Sequence, residues 1–140
     1  ALAVIWYFGG IMPILLIFVP TTLLAATAGV WLFYVQHQFE TTHWAPEEDW
    51  NLHDAALQGS SHYVLPSVLQ WLSANIGIHH VHHLYSRIPF YRLPEVLRDH
   101  ETLADGNRMT IRESFANARL HLWDEKSKRL MSFSQAGKVS

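Results

Sequence analysis

Apolar residues run almost unbroken from Ala1 to Val35, and no Asp, Glu, Lys or Arg precedes Glu40. A bilayer core of about 30 Å takes about 20 residues of helix. Pro20 to His37 therefore predicts one membrane pass, with Pro20 suited to a first helical turn. Gly9-Gly10 and Pro13 interrupt the earlier half. That half reads as the tail of one span plus a short re-entrant or interfacial piece, so one pass or two stays open. A soluble domain of 140 residues has no place for so long a charge-free run. Trp31 and Tyr34 suit the membrane–water boundary, which puts His37 where the helix leaves the lipid.

Beyond Phe39 the pattern shortens. Pro46 followed by Glu47-Glu48-Asp49 reads as a helix start, with a helix over Trp50 to Gln58 ended by Gly59-Ser60-Ser61. Tyr63 to Ile78 is a second apolar segment, short for a span but long enough to lie in the interface. A short helix is expected over Glu95 to His100, and Asp105-Gly106-Asn107 is a turn signal. Ile111, Phe115, Ala118 and Leu122 recur at helical spacing and predict an amphipathic helix over Thr110 to Leu130. The expected architecture is an all-α integral membrane protein with one or two transmembrane helices in 1–36. A cytosolic-side helical region over 37–131 and a flexible tail over 132–140 complete it.

Charge sharpens this reading. Arg87 to Ser140 holds all ten Lys and Arg against seven Asp and Glu, which favours a cytosolic side for that region. The chain has no cysteine, which removes disulfides, thiolate zinc sites, iron–sulfur clusters and cysteine nucleophiles together. It opens inside an apolar run without an initiator Met or a basic leader, and we expect it to be a piece of a longer protein. No nucleic-acid partner is expected.

The candidate chemistry lies in His79-His80-Val81-His82-His83. On a helix, His79, His82 and His83 share an arc of roughly 100°. Three neutral imidazoles aimed at one spot suit a transition metal. A solvated histidine-rich turn is the plainer alternative. His80 falls off that face and is a candidate for a supporting bond or an alternative ligand. His37 is a further candidate ligand, because a site at the membrane surface must draw on helix ends. His43, His53 and His62 are isolated and read as structural or supporting; Gln36, Glu40 and Asn75 are candidates to orient the ligands. Imidazole suits iron, copper, zinc and nickel. There is no H-E-x-x-H motif and no serine elbow. An aliphatic lipid offers no polarised bond, so chemistry on it must be oxidative, which makes iron the leading candidate. No catalytic residue beyond the metal ligands is expected.

Two segments carry a family resemblance: Tyr34-Val35-Gln36-His37, and Asn75 to His83 followed by Leu84-Tyr85-Ser86, Ile88-Pro89 and Tyr91. The stretch from Trp31 to Pro94 resembles the C-terminal half of the membrane fatty acid desaturases, nearest the acyl-lipid delta-12/omega-6 type. The family's third histidine box, H-x-x-H-H, is met by His79, His82 and His83, and a further ligand at the end of the last membrane helix maps onto His37. The resemblance implies a non-haem di-iron centre, O2 as co-substrate and a cis double bond placed in an acyl chain. It also implies an electron donor such as ferredoxin or a small haem cytochrome. The first two histidine boxes are absent, so the fragment alone is expected to be inactive. A fatty acid or carotenoid hydroxylase of the same superfamily and a non-catalytic histidine-rich metal-binding membrane protein are the alternatives.

Overall fold

The computed structural model describes residues Ala1–Val139, the side chain of Val139 excepted. The protein is mostly helical, with two small two-stranded sheets added to the expected helices. It divides into two compact units, Ala1–Phe33 and the residues from Tyr34 on.

The first unit begins with helix α1 (Leu2–Gly9), which stops at Gly10, whose φ of 69° suits glycine. After this break a π-helical turn (Ile14–Phe18) runs directly into α2 (Val19–His37). Pro20 therefore does not start the helix. It sits inside a continuous helical stretch, Ile14–His37, of 24 residues. The preceding π turn relaxes the backbone just where a proline ring would crowd it. This stretch is long and apolar enough to cross a membrane. Within the first unit Leu16, Leu24 and Val30 are exposed.

The second unit carries the chemistry. Pro46 leads a 3-10 turn (Glu47–Asp49), and α3 (Leu52–Gln58) follows. The helix starts later than Trp50 because Asn51 caps it, its side chain accepting from the Asp54 amide at 2.9 Å. Strand β1 (His62–Val64) comes next, then helices α4 (Ser67–Leu72) and α5 (His79–Leu84). The expected second apolar segment is thus split into strand, helix and turn. Gly77 is required where β1 crosses that turn: a Cβ there would stand 2.4 Å from the Tyr63 carbonyl oxygen. The Tyr63 amide donates to the Gly77 carbonyl at 2.7 Å.

A 3-10 turn (Phe90–Arg92) leads into α6 (Leu93–Asp99), with Pro94 in its first turn, and α7 (Glu101–Ala104). After the Asp105-Gly106-Asn107 turn, β2 (Arg108–Thr110) pairs in parallel with β1. The core of the unit is Ile78, Val81 and Leu93, surrounded by Ile88, Val96, Leu97 and Leu103.

The expected helix over Thr110 to Leu130 is corrected. Only α8 (Ile111–Asn117) is helical there, fixed by a capping box between Thr110 and Glu113. Strands β3 (Leu122–Asp124) and β4 (Arg129–Met131) then form an antiparallel hairpin. Its turn is held by Asp124, whose carboxylate accepts from the Ser127 amide at 2.9 Å. The segment read as a flexible tail carries α9 (Phe133–Val139); Ser140 lies outside the described residues.

Candidate metal centre

Three elements of the second unit meet at the site: the last turn of α2, the turn before α5, and α5 itself. Ala74 and Asn75 both adopt left-handed backbone, at φ 53° and 54°, and reverse the chain after α4. Asn75 Nδ2 donates to the Phe90 carbonyl at 2.9 Å. Fully buried Gln36 donates from Nε2 to the Ile76 carbonyl at 3.1 Å. That bond fixes the end of α2 against the start of the histidine helix. Gln36 and Asn75 therefore act on backbone carbonyls in these bonds, not on an imidazole, and Glu40 pairs with Arg129 at 3.4 Å.

His37, His79 and His83 come together. Their Nε2 atoms are separated by 3.0 Å (His37–His83), 3.1 Å (His79–His83) and 3.3 Å (His37–His79). At these separations the three Nε2 atoms can share protons as N–H···N bonds or, in the tautomer with hydrogen on Nδ1, turn three lone pairs toward one point. Metal–imidazole bonds of about 2.1 Å put neighbouring nitrogens about 3.0 Å apart at right angles and about 3.4 Å apart at the tetrahedral angle. The observed edges fall in that interval, so the donor set fits a transition-metal ion.

Burial favours the neutral, ligating form. The His79 pKa is pushed down to about 3, first by burial and then by the His37 and His83 rings beside it. The same two causes, burial and His37, lower His83. His79 Nδ1 is buried and finds no hydrogen-bond partner among the described residues.

His82 falls outside the group of three. Its ring stacks on His79 at 5.9 Å between centroids. The difference is angular: from His79, position 83 lies about 40° one way round the helix and position 82 about 60° the other. His37 approaches from the side of His83. His82 instead lines an apolar cavity of about 470 Å³ with Ser73, Ile76, Ile88, Phe90 and Leu93.

His80 points away from the three converging nitrogens, toward α7. It is buried, and its Nε2 contacts the Leu103 carbonyl at 2.8 Å. His62 lies beside it, with ring centroids 5.6 Å apart, and bonds from Nδ1 to the next carbonyl, Ala104, at 3.2 Å. The pair pins α7 to the back of α5. Nothing in the spacing of His62 reveals this, because the contact depends on the β1–β2 pairing. His43 lines a separate cavity with Trp44, Asp49, Asp54 and Trp123, away from the three converging nitrogens.

Residues 1–115 match the family model "Fatty acid desaturase". The chain belongs to the fatty acid desaturase family. This desaturase-family chain is 44% identical over 124 residues to a protein of Bacillus subtilis (strain 168) named "Fatty acid desaturase". The match covers 89% of the chain and 35% of that relative, so the chain spans about a third of the relative's length. No solved structure matches it.

Proposed function

We propose that this chain is part of the C-terminal half of a membrane-bound acyl-lipid desaturase that places a cis double bond in an acyl chain. The observation that carries this reading is the convergence of His37, His79 and His83 in a member of the desaturase family. Bound iron would supply the O2 activation and oxidising power needed to remove two hydrogens from adjacent methylenes. Two electrons from a ferredoxin or a small haem cytochrome, with two protons, would let O2 leave as two waters together with the two hydrogens taken from the chain.

The chain's own residues hold and aim. His79, kept neutral by burial, would offer Nε2 to the metal together with His37 and His83. His82 would be the fourth ligand of the di-iron centre in this proposal, with the remaining histidines contributed by parts of the protein outside this chain. The Gln36 bond to Ile76 and the His80 bond to Leu103 tie the ligand-bearing elements to their neighbours. The basic residues from Arg87 onward favour a cytosolic face for the site. Alone, the chain holds too few ligands to turn over.

The resemblance of the Tyr34–His37 and Asn75–Tyr91 segments supports the delta-12/omega-6 type. Expression of the full-length gene in a host without such lipids, followed by mass spectrometry of its fatty acids, tests the assignment. A new diene without hydroxy-lipid is expected. A hydroxylated acyl chain would make the protein a hydroxylase of the same superfamily, and a double bond at another position would overturn the subtype alone.

A further inference from the structure

Helix α4 is built inside out. Val68, Leu69, Trp71 and Leu72 are 67%, 45%, 72% and 66% exposed, whereas Gln70 is half-buried. At 100° per residue the four apolar positions cover an arc of about 160°, and Gln70 lies opposite. Gln70 points inward: its Oε1 lies 3.0 Å from where a Cβ on Gly77 would stand. A helix meeting water would present the reverse arrangement.

Residues 55–86 contain no Asp, Glu, Lys or Arg, and the next charged groups are Arg87 and Arg92, both exposed. Phe90 and Tyr91 beside them are exposed too, and Asn75 ties their loop to the end of α4 through the Phe90 carbonyl. Four residues after α4 ends, the Ile76 carbonyl accepts the Gln36 bond from the last turn of the apolar helix. An outward apolar face, aromatic residues and arginines near the point where that helix ends match the layers of a lipid surface.

We propose that α4 docks on an anionic phospholipid bilayer. Val68, Leu69, Trp71 and Leu72 enter the acyl boundary, while Arg87 and Arg92 stand at phosphate level, Arg92 sharing its charge with Glu95 at 3.3 Å. The inference rests on the reading of Ile14–His37 as a membrane span. It adds a second, monotopic contact that would hold the histidine helix at a fixed depth.

The chain has no cysteine, so single nitroxide labels can be placed cleanly. Val68→Cys, Leu72→Cys, Leu24→Cys and Glu101→Cys variants of the whole chain are labelled and reconstituted in vesicles of phosphatidylglycerol and phosphatidylcholine. Collision rates with O2 and with water-soluble chromium oxalate are then read by electron paramagnetic resonance. At positions 68 and 72 the O2 rate should exceed the oxalate rate several-fold, with position 101 reversed. Aqueous access at 68 and 72 overturns the docking, as does low access to both reagents, which would mean that protein covers α4. Position 24 separates the two readings. If it lies in lipid while 68 and 72 do not, only the docking fails; if it does not, the span itself fails.

Discussion

His37 and His83 stand 46 residues apart in the chain, yet their Nε2 atoms lie 3.0 Å apart. His79 joins them at 3.1 and 3.3 Å. Such crowding of lone pairs is unfavourable unless a cation or shared protons relieve it. Removing one imidazole nitrogen should therefore weaken metal binding sharply. His83→Ala is expected to lower metal affinity by more than about 100-fold, beyond the usual cost of losing a supporting bond. Titration of the purified protein with Co(II), followed through its visible absorption, measures this. Unchanged affinity would remove His83 from the ligand set.

Gln36 couples the two ligand-bearing elements through one bond at 3.1 Å, and its Oε1 is buried with no hydrogen-bond partner among the described residues. Gln36→Leu strands the Ile76 carbonyl and should cost about 1–3 kcal/mol of stability. Because the bond also sets the position of His37 against α5, metal affinity should fall about 10–100-fold. Denaturant unfolding in detergent and the same Co(II) titration read the two effects separately.

His80 and His82 should separate stability from chemistry. His80 is buried against Leu103, so His80→Ala leaves a cavity and an unpaired carbonyl and should cost about 2–4 kcal/mol. His82 is only half-buried, so His82→Ala should cost under about 1 kcal/mol. In the full-length protein His82→Ala should nonetheless abolish desaturation, while His80→Ala at low temperature retains part of it. Equal loss of activity at equal stability would mean that the two roles are misassigned.

Burial, and to a lesser extent the Arg108 charge, lowers the His62 pKa from 6.5, against the opposing bond to Ala104. The unfolded chain therefore binds a proton that the native state refuses. Stability from this residue is complete above pH about 6.5 and declines as pH falls below it. His80, which faces His62, is lowered by burial in the same direction. Metal-free protein should lose stability on acidification below that point, and His62→Gln should make the decline shallower. Denaturant midpoints measured across the acid range check this; an equally steep decline in the variant would place the proton uptake elsewhere.

The long apolar helix, the end of α3, α6 and the Asp105–Asn107 turn are legible in the sequence because each rests on local signals: a charge-free run, the Gly59-Ser60-Ser61 stop, a proline and a glycine turn. The region after Thr110 misleads for an equally local reason. Ile111, Phe115, Ala118 and Leu122 keep a helical period, but the chain turns after Asn117 and re-enters as a hairpin whose charged turn mimics a solvated helix face. The three-residue strands β1 and β2 carry too little pattern to announce their pairing. At the site, the spacing of His79 and His83 places them on one face, whereas the separate direction of His82 depends on where His37 arrives. That direction is a tertiary fact, set by the Gln36–Ile76 bond.

Mössbauer spectroscopy of the full-length protein produced with isotopically enriched iron reads the metal centre most directly. A coupled pair of non-haem irons, lost or altered in His83→Ala, is the predicted result. Zinc as the bound metal, or an iron spectrum indifferent to His83→Ala, would contradict it.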